Sequence, residues 1–143
     1  MRLLIQILVF MCCFLPFLNV QGQTLYVIGH KGSFEATQNN NYFADYYLLK
    51  RKISTVGARI IPVNLPLNNP IRTQFSSAIF KHSPVALSEY WDRMSFRGLR
   101  PPVIQQSEKA VILFVSRVKG AIGYVSYKPK DNPNIDILGE ITL

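Results

Sequence analysis

RIIPVNLPLNNPIRTQFSSAIF, Arg59 to Phe80, decides the fold class of this chain. Ile60, Ile61 and Val63 form an apolar run of strand type. Asn64 to Asn69 make a polar turn with Pro66 inside it. Pro70 suits the first helical position, where its missing N–H is no loss. Asn69 before it is an N-cap residue. The helix then runs from Pro70 to Phe80, with Ile71, Phe75, Ala78 and Ile79 on one face. Arg72 falls in the first turn, where a cation opposes the helix dipole. A helix start presents free backbone N–H groups and a partial positive charge, so it suits an anion. An ordinary strand-to-helix connection with a surface arginine is the alternative reading of the same residues.

Outward from this stretch the chain alternates. Thr24 to Ile28 reads as a buried first strand, closed by Gly29 to Ser33. Asn41 to Leu49 reads as a helix, with Tyr42, Phe43, Tyr46 and Tyr47 toward the core. The Asn39–Asn41 run precedes it, and Lys50-Arg51-Lys52 stands at its end. Gly57 precedes the strand at Arg59–Val63. Ser83 caps a helix from Pro84 to about Phe96, with Val85, Leu87, Tyr90, Trp91 and Met94 expected inside. Arg97 to Pro102 is a loop. Ser107 caps a further helix, Glu108 to about Val118, with Ala110, Val111, Leu113, Phe114 and Val115 expected inside. Gly120 stops it. Ala121 to Ser126 is a strand, and Ile135 to Leu143 supplies one or two more. The pattern predicts an α/β fold, a small mixed sheet flanked by helices.

The first residues belong to a different class of segment. Met1-Arg2 is a short positive start, and an apolar run follows to Val20. Val20-Gln21-Gly22 offers small residues at an exit, so 1–22 is expected to be a cleaved signal peptide and 23–143 the domain. A single N-terminal membrane helix is the alternative, near minimum length and interrupted by Pro16. Both cysteines, Cys12 and Cys13, lie in this segment. A disulfide or thiolate metal site in the domain is thereby excluded. Export without disulfides suits a bacterial periplasm.

The whole chain carries 16 Lys and Arg against 8 Asp and Glu. This balance favours anionic partners. Export and the scattered basic residues argue against nucleic acid. His30 and His82 have no metal-ligand spacing. Ser83 and Ser107 read as helix caps, with no nucleophile elbow around either. Gly120-Ala121-Ile122-Gly123 opens a strand and not a helix, so it is no nucleotide loop. The residues point to no catalytic set and no cofactor.

VNLPLNNPIRTQF, SPVALSEYWDRMSFRG, PPVIQQSEKAVILFV and KGAIGYV together resemble the small exported proteins related to the phosphate-binding component of bacterial phosphate ABC transporters. GAIGY after an apolar helix carries most of the resemblance. It implies a periplasmic-binding-protein-like fold. The full-length receptors clamp their anion between two lobes, and this chain has room for a single lobe. By order in the chain, Asn64 stands where those proteins place an Arg. Pro66 stands for their Asp, and Asn68-Asn69-Pro70 for their Ser-Gly-Thr. Arg72 and Thr73 restore a charge and a hydroxyl one turn later. The expected function is oxyanion binding, phosphate or sulfate, by Asn64, Asn69, Ile71, Arg72 and Thr73. Ser107 is a second donor set if its helix start faces the same way. The other reading is an envelope or transporter interaction module that keeps the fold without the ligand. Tyr90, Trp91, Phe96, Arg97 and Arg100 would then be its contact surface.

Overall fold

The computed structural model describes residues 22–35 and 39–143. The expected signal peptide and both cysteines lie outside them, apart from Gly22. Strand β1 (Thr24–His30) is followed by α1 (Asn40–Tyr47), β2 (Ile61–Asn64), α2 (Pro70–Phe80) and α3 (Pro84–Ser95). Then come β3 (Val103–Ile104), α4 (Glu108–Arg117), β4 (Ala121–Val125) and β5 (Ile135–Thr142). The five strands form one sheet in the order β3-β2-β4-β1-β5. β2 runs parallel to both β3 and β4, while β1 is antiparallel to β4 and β5. This is the mixed α/β sheet expected from the alternation of patterns.

The helix starts follow the capping residues. Asn69 accepts the Ile71 N–H ahead of Pro70, and Ser83 and Ser107 accept the N–H groups of Ala86 and Ala110. Asn39 does the same for Asn41 and Tyr42. α1 ends at Tyr47, short of Leu49, whose φ of 51° is left-handed. The basic triplet therefore lies beyond the helix. Arg51 folds back to Asp45 (3.5 Å) and over the Tyr42 ring.

Two helices cover one face of the sheet and α4 the other. Tyr47 of α1 and Phe75 of α2 pack on Tyr124 of β4. On the opposite face a Cβ at Gly123 would lie 2.5 Å from Val111 Cγ1 and 3.3 Å from Val115 Cγ2 of α4. Glycine at 123 is what lets that helix lie directly on β4. Gly120 meets a second constraint, with φ 81° and a Cβ position 1.8 Å from the Arg59 carbonyl oxygen.

Two expected core faces are corrected. In α3 only Pro84 is buried. Leu87, Tyr90, Trp91 and Met94 are half-buried, and Val85 is 67% exposed. The stripe has the right period, but α3 packs mainly against the neighbouring helix α2 and not on the sheet. It leans on the α1–α2 side, where Tyr90 Oη donates to the Leu48 carbonyl (2.7 Å). In α4 the i, i+4 pair Val111 and Val115 points inward, and Leu113, on the far side of that turn, is 49% exposed. β3 was not foreseen: the loop that begins at Arg97 straightens at Val103 into a two-residue edge strand.

Candidate functional site

The parallel pairing of β2 and β3 sets the site. Val63 faces Val103 and Asn64 faces Ile104, and the Gln105 N–H bonds the Asn64 carbonyl (2.9 Å). Both strands therefore end at the same edge. α2 begins after β2 and covers one face; α4 begins after β3 and covers the other. A crevice outside the carboxyl ends of parallel strands, where connections leave to opposite faces, is where open α/β sheets hold ligands. The Ser107 helix start thus lies at the same edge as the Asn69 helix start.

The β2–α2 connection is braced from below. Tyr124 Oη donates to Asn64 Oδ1 (2.9 Å) and lies 3.4 Å from the Leu65 N–H. Tyr47 Oη donates to the Val63 carbonyl (2.8 Å). Burial raises the pKa of both phenols, and the neighbouring Tyr124 raises that of Tyr47 further; for Tyr124 burial outweighs the Leu65 N–H and Arg72, so both stay neutral donors. Arg72 turns back over this floor, its Nη1 donating to the Leu65 carbonyl (2.9 Å). Its Nε–H is buried and meets no acceptor among the described residues. Burial lowers its pKa, although the nearby Tyr124 and Tyr47 oxygens favour the charged form.

The expected donor set changes accordingly. Asn64 is buried, with its side chain committed to Tyr124, so it faces the core and not the open sheet edge. The N–H of Ile71 is taken by Asn69 Oδ1 (2.9 Å) and that of Thr73 by the Asn69 carbonyl (3.2 Å). These are corrections to the expected set of free N–H groups, because the cap closes on its own helix. Arg72 is half-buried and not exposed. Thr73 stays exposed, its hydroxyl 3.5 Å from the Asn69 carbonyl. Ser107 Oγ accepts from Ala110. The acceptor role of Glu108 toward the Ser126 N–H ties the start of α4 to the end of β4. Sequence reasoning missed Tyr47 and Tyr124 as parts of the site. Their signal was present as aromatic residues inside otherwise aliphatic or helical core patterns, but nothing in it placed their hydroxyls.

Among the described residues, no group of three His, Cys, Asp or Glu could hold a metal ion. No helix among them is long and apolar enough to cross a membrane.

No family model matches the chain, and no curated protein matches it. Among solved structures, the chain is similar to a protein from Clostridium perfringens described as a phosphate ABC transporter substrate-binding protein with bound phosphate. The TM-score is 0.59 at 15% sequence identity, over 81% of this chain and 45% of that one. The chain thus spans less than half the length of that protein. The likeness is one of fold, and it is the periplasmic-binding-protein type of fold that the resemblance implied.

Proposed function

We propose that this chain is an exported, non-catalytic binding lobe that holds a small oxyanion, phosphate or sulfate, at the carboxyl edge of β2 and β3. One observation carries the reading. Arg72 is a half-buried cation, with no carboxylate partner among the described residues, and its buried Nε–H has no acceptor. Such a donor costs stability until an acceptor reaches it. An oxyanion in the crevice supplies one, and a guanidinium can grip it with two parallel bonds. The Arg72 backbone N–H and Thr73 would complete its shell, together with the α4 start at Ser107, which follows β3 at the same sheet edge. The phosphate bound by the C. perfringens protein supports the same chemistry. A single lobe leaves its anion open to water, so affinity is modest and falls with ionic strength.

Titration calorimetry with phosphate and with sulfate at low salt tests this. Binding is expected in the parent, several-fold weaker in Arg72→Lys and weaker still in Arg72→Ala. Stability is measured alongside, because Arg72 also holds the Leu65 carbonyl. No binding at millimolar anion, or an Arg72→Ala variant that binds like the parent, overturns the reading. Export is tested by N-terminal sequencing of the protein from its native host. A start near Gln23, outside the cytoplasm, is expected.

A second reading is favoured by α3. Its apolar stripe is half covered, and Phe96 at its end is 94% exposed. An interaction module would use Phe96, Trp91 and Arg97 against an envelope or transporter protein. Photocrosslinking from position 96 in the native host tests it, with one discrete partner expected.

A further inference from the structure

We propose that a groove beside β3 docks an acidic, apolar segment of a partner protein. This rests on the interaction reading and names the chemistry of the partner. The groove, of about 400 Å³, lies between the Gly98–Val103 segment and the start of β2. Ile61, Leu99 and Val103 are among its apolar walls, and Lys52, Arg59 and Arg100 line it as well. No Asp or Glu does. The three cations are exposed, and the ion pairs of the described residues, Lys31–Asp136 and Arg51–Asp45, take in none of them.

Its place in the fold explains why the groove is open. β3 is an edge strand and is two residues long, so the sheet edge beside Ile61 and Pro62 has no strand over it. The loop that covers it carries Pro101 and Pro102, which cannot donate backbone hydrogen bonds. Val103 and Ile104 are themselves exposed. Apolar walls between unpaired cations fit a side chain flanked by carboxylates, with the guanidinium groups of Arg59 and Arg100 gripping the acids. A bare phosphate would leave the walls wet. A lipid surface would need a convex patch, and this one is concave.

The test uses the purified protein and amide NMR shifts. The probes are a capped Asp-Leu-Glu-Asp-Leu-Glu peptide, its Asn/Gln counterpart, inorganic phosphate, and phosphatidylglycerol vesicles. The acidic peptide is expected to shift the amides of Lys52, Arg59, Leu99, Arg100 and Val103, and the Asn/Gln peptide to leave them in place. An Arg59→Glu, Arg100→Glu double variant should bind the acidic peptide about tenfold more weakly. It should keep any phosphate response near Arg72. No shift with the acidic peptide, equal shifts with the neutral one, or an unaffected double variant overturns the proposal. Vesicle binding through the same residues without a peptide response overturns it in favour of a membrane surface. A discrete crosslink from position 96 alongside a silent groove leaves the interaction reading standing and removes only the acidic partner.

Discussion

The ring of Phe75 lies flat on that of Tyr124, with centroids 3.9 Å apart and planes 6° apart. One contact thereby joins α2 to the middle of the sheet, directly under the turn that carries Asn69 and Arg72. The Tyr124 hydroxyl, at the other end of the same ring, holds Asn64 and reaches toward the Leu65 N–H. The turn is thus held from its floor as well as by its own bonds, such as that from the Asn69 N–H to the Pro66 carbonyl (2.9 Å).

Tyr124→Phe keeps the stacked ring and removes the hydroxyl. Asn64 Oδ1 then loses, in a buried place, the one donor it has among the described residues. A loss of roughly 1–3 kcal/mol is expected in chemical denaturation. Under the proposed anion-binding reading, phosphate affinity should fall with it, since the loop above loses its brace. A variant as stable as the parent would show that water fills the gap.

The inward face of α4 is tested by a pair of substitutions. Val115→Ala removes buried methyl groups over Gly123 and should cost roughly 1.5–3 kcal/mol. Leu113→Ala, on the exposed side, should change stability by less than about 0.5 kcal/mol. Equal effects in thermal denaturation would mean that the helix is rotated from the position described.

Gly120→Ala should be worse than either. The new methyl would meet the Arg59 carbonyl, and the left-handed φ adds strain. A cost of roughly 1–3 kcal/mol from overpacking is expected, with the backbone strain in addition. Soluble yield and denaturation midpoint both report it.

The two buried phenols predict the alkaline limb of stability. Burial, first of all, raises the folded pKa values of Tyr47 and Tyr124 above the ordinary tyrosine value. A raised folded value means that their contribution is full below the unfolded pKa and is lost as pH climbs above it. Tyrosinate absorbance should therefore rise in two stages, with Tyr47 and Tyr124 ionising only as the protein unfolds. Smooth titration of every tyrosine in a folded chain would contradict their burial.

Asp136 contributes to the acid limb. Burial alone would raise its carboxyl, but hydrogen bonds from Lys31 Nζ and the Gly32 N–H outweigh it and hold the pKa below the usual value. Its stabilising effect is present above the unfolded pKa and fades as pH falls through the folded one. Asp136→Asn should flatten the loss of stability below about pH 4. An unchanged acid limb would show that the Lys31 pair contributes nothing.

Much of this was legible in the residues. Each cap-and-proline start, at Asn69-Pro70 and Ser83-Pro84, stands where capping chemistry put it, because those rules are local. Which helix face turns inward was less legible. Val85 and Leu113 are as apolar as Val111 and Val115, and periodicity marks a stripe without saying what will cover it. The site was half legible for the same reason. The helix start at Asn69 is written in its own residues, but the inward turn of Asn64 depends on a tyrosine on another strand. β3 escaped notice because two residues carry no period.

The strand order also dictates when the molecule can come into being. β1 sits between β4 and β5, so this strand finds its neighbours only about a hundred residues further along the chain. Loop closure on this scale must precede any reward from pairing, and topologies rich in distant contacts fold slowly. A nascent chain therefore holds Leu25, Val27 and Ile28 without their partner strands until β4 and β5 have been made. The arrival of β4 and β5, and not the emergence of any one helix, is the event that lets this sheet close.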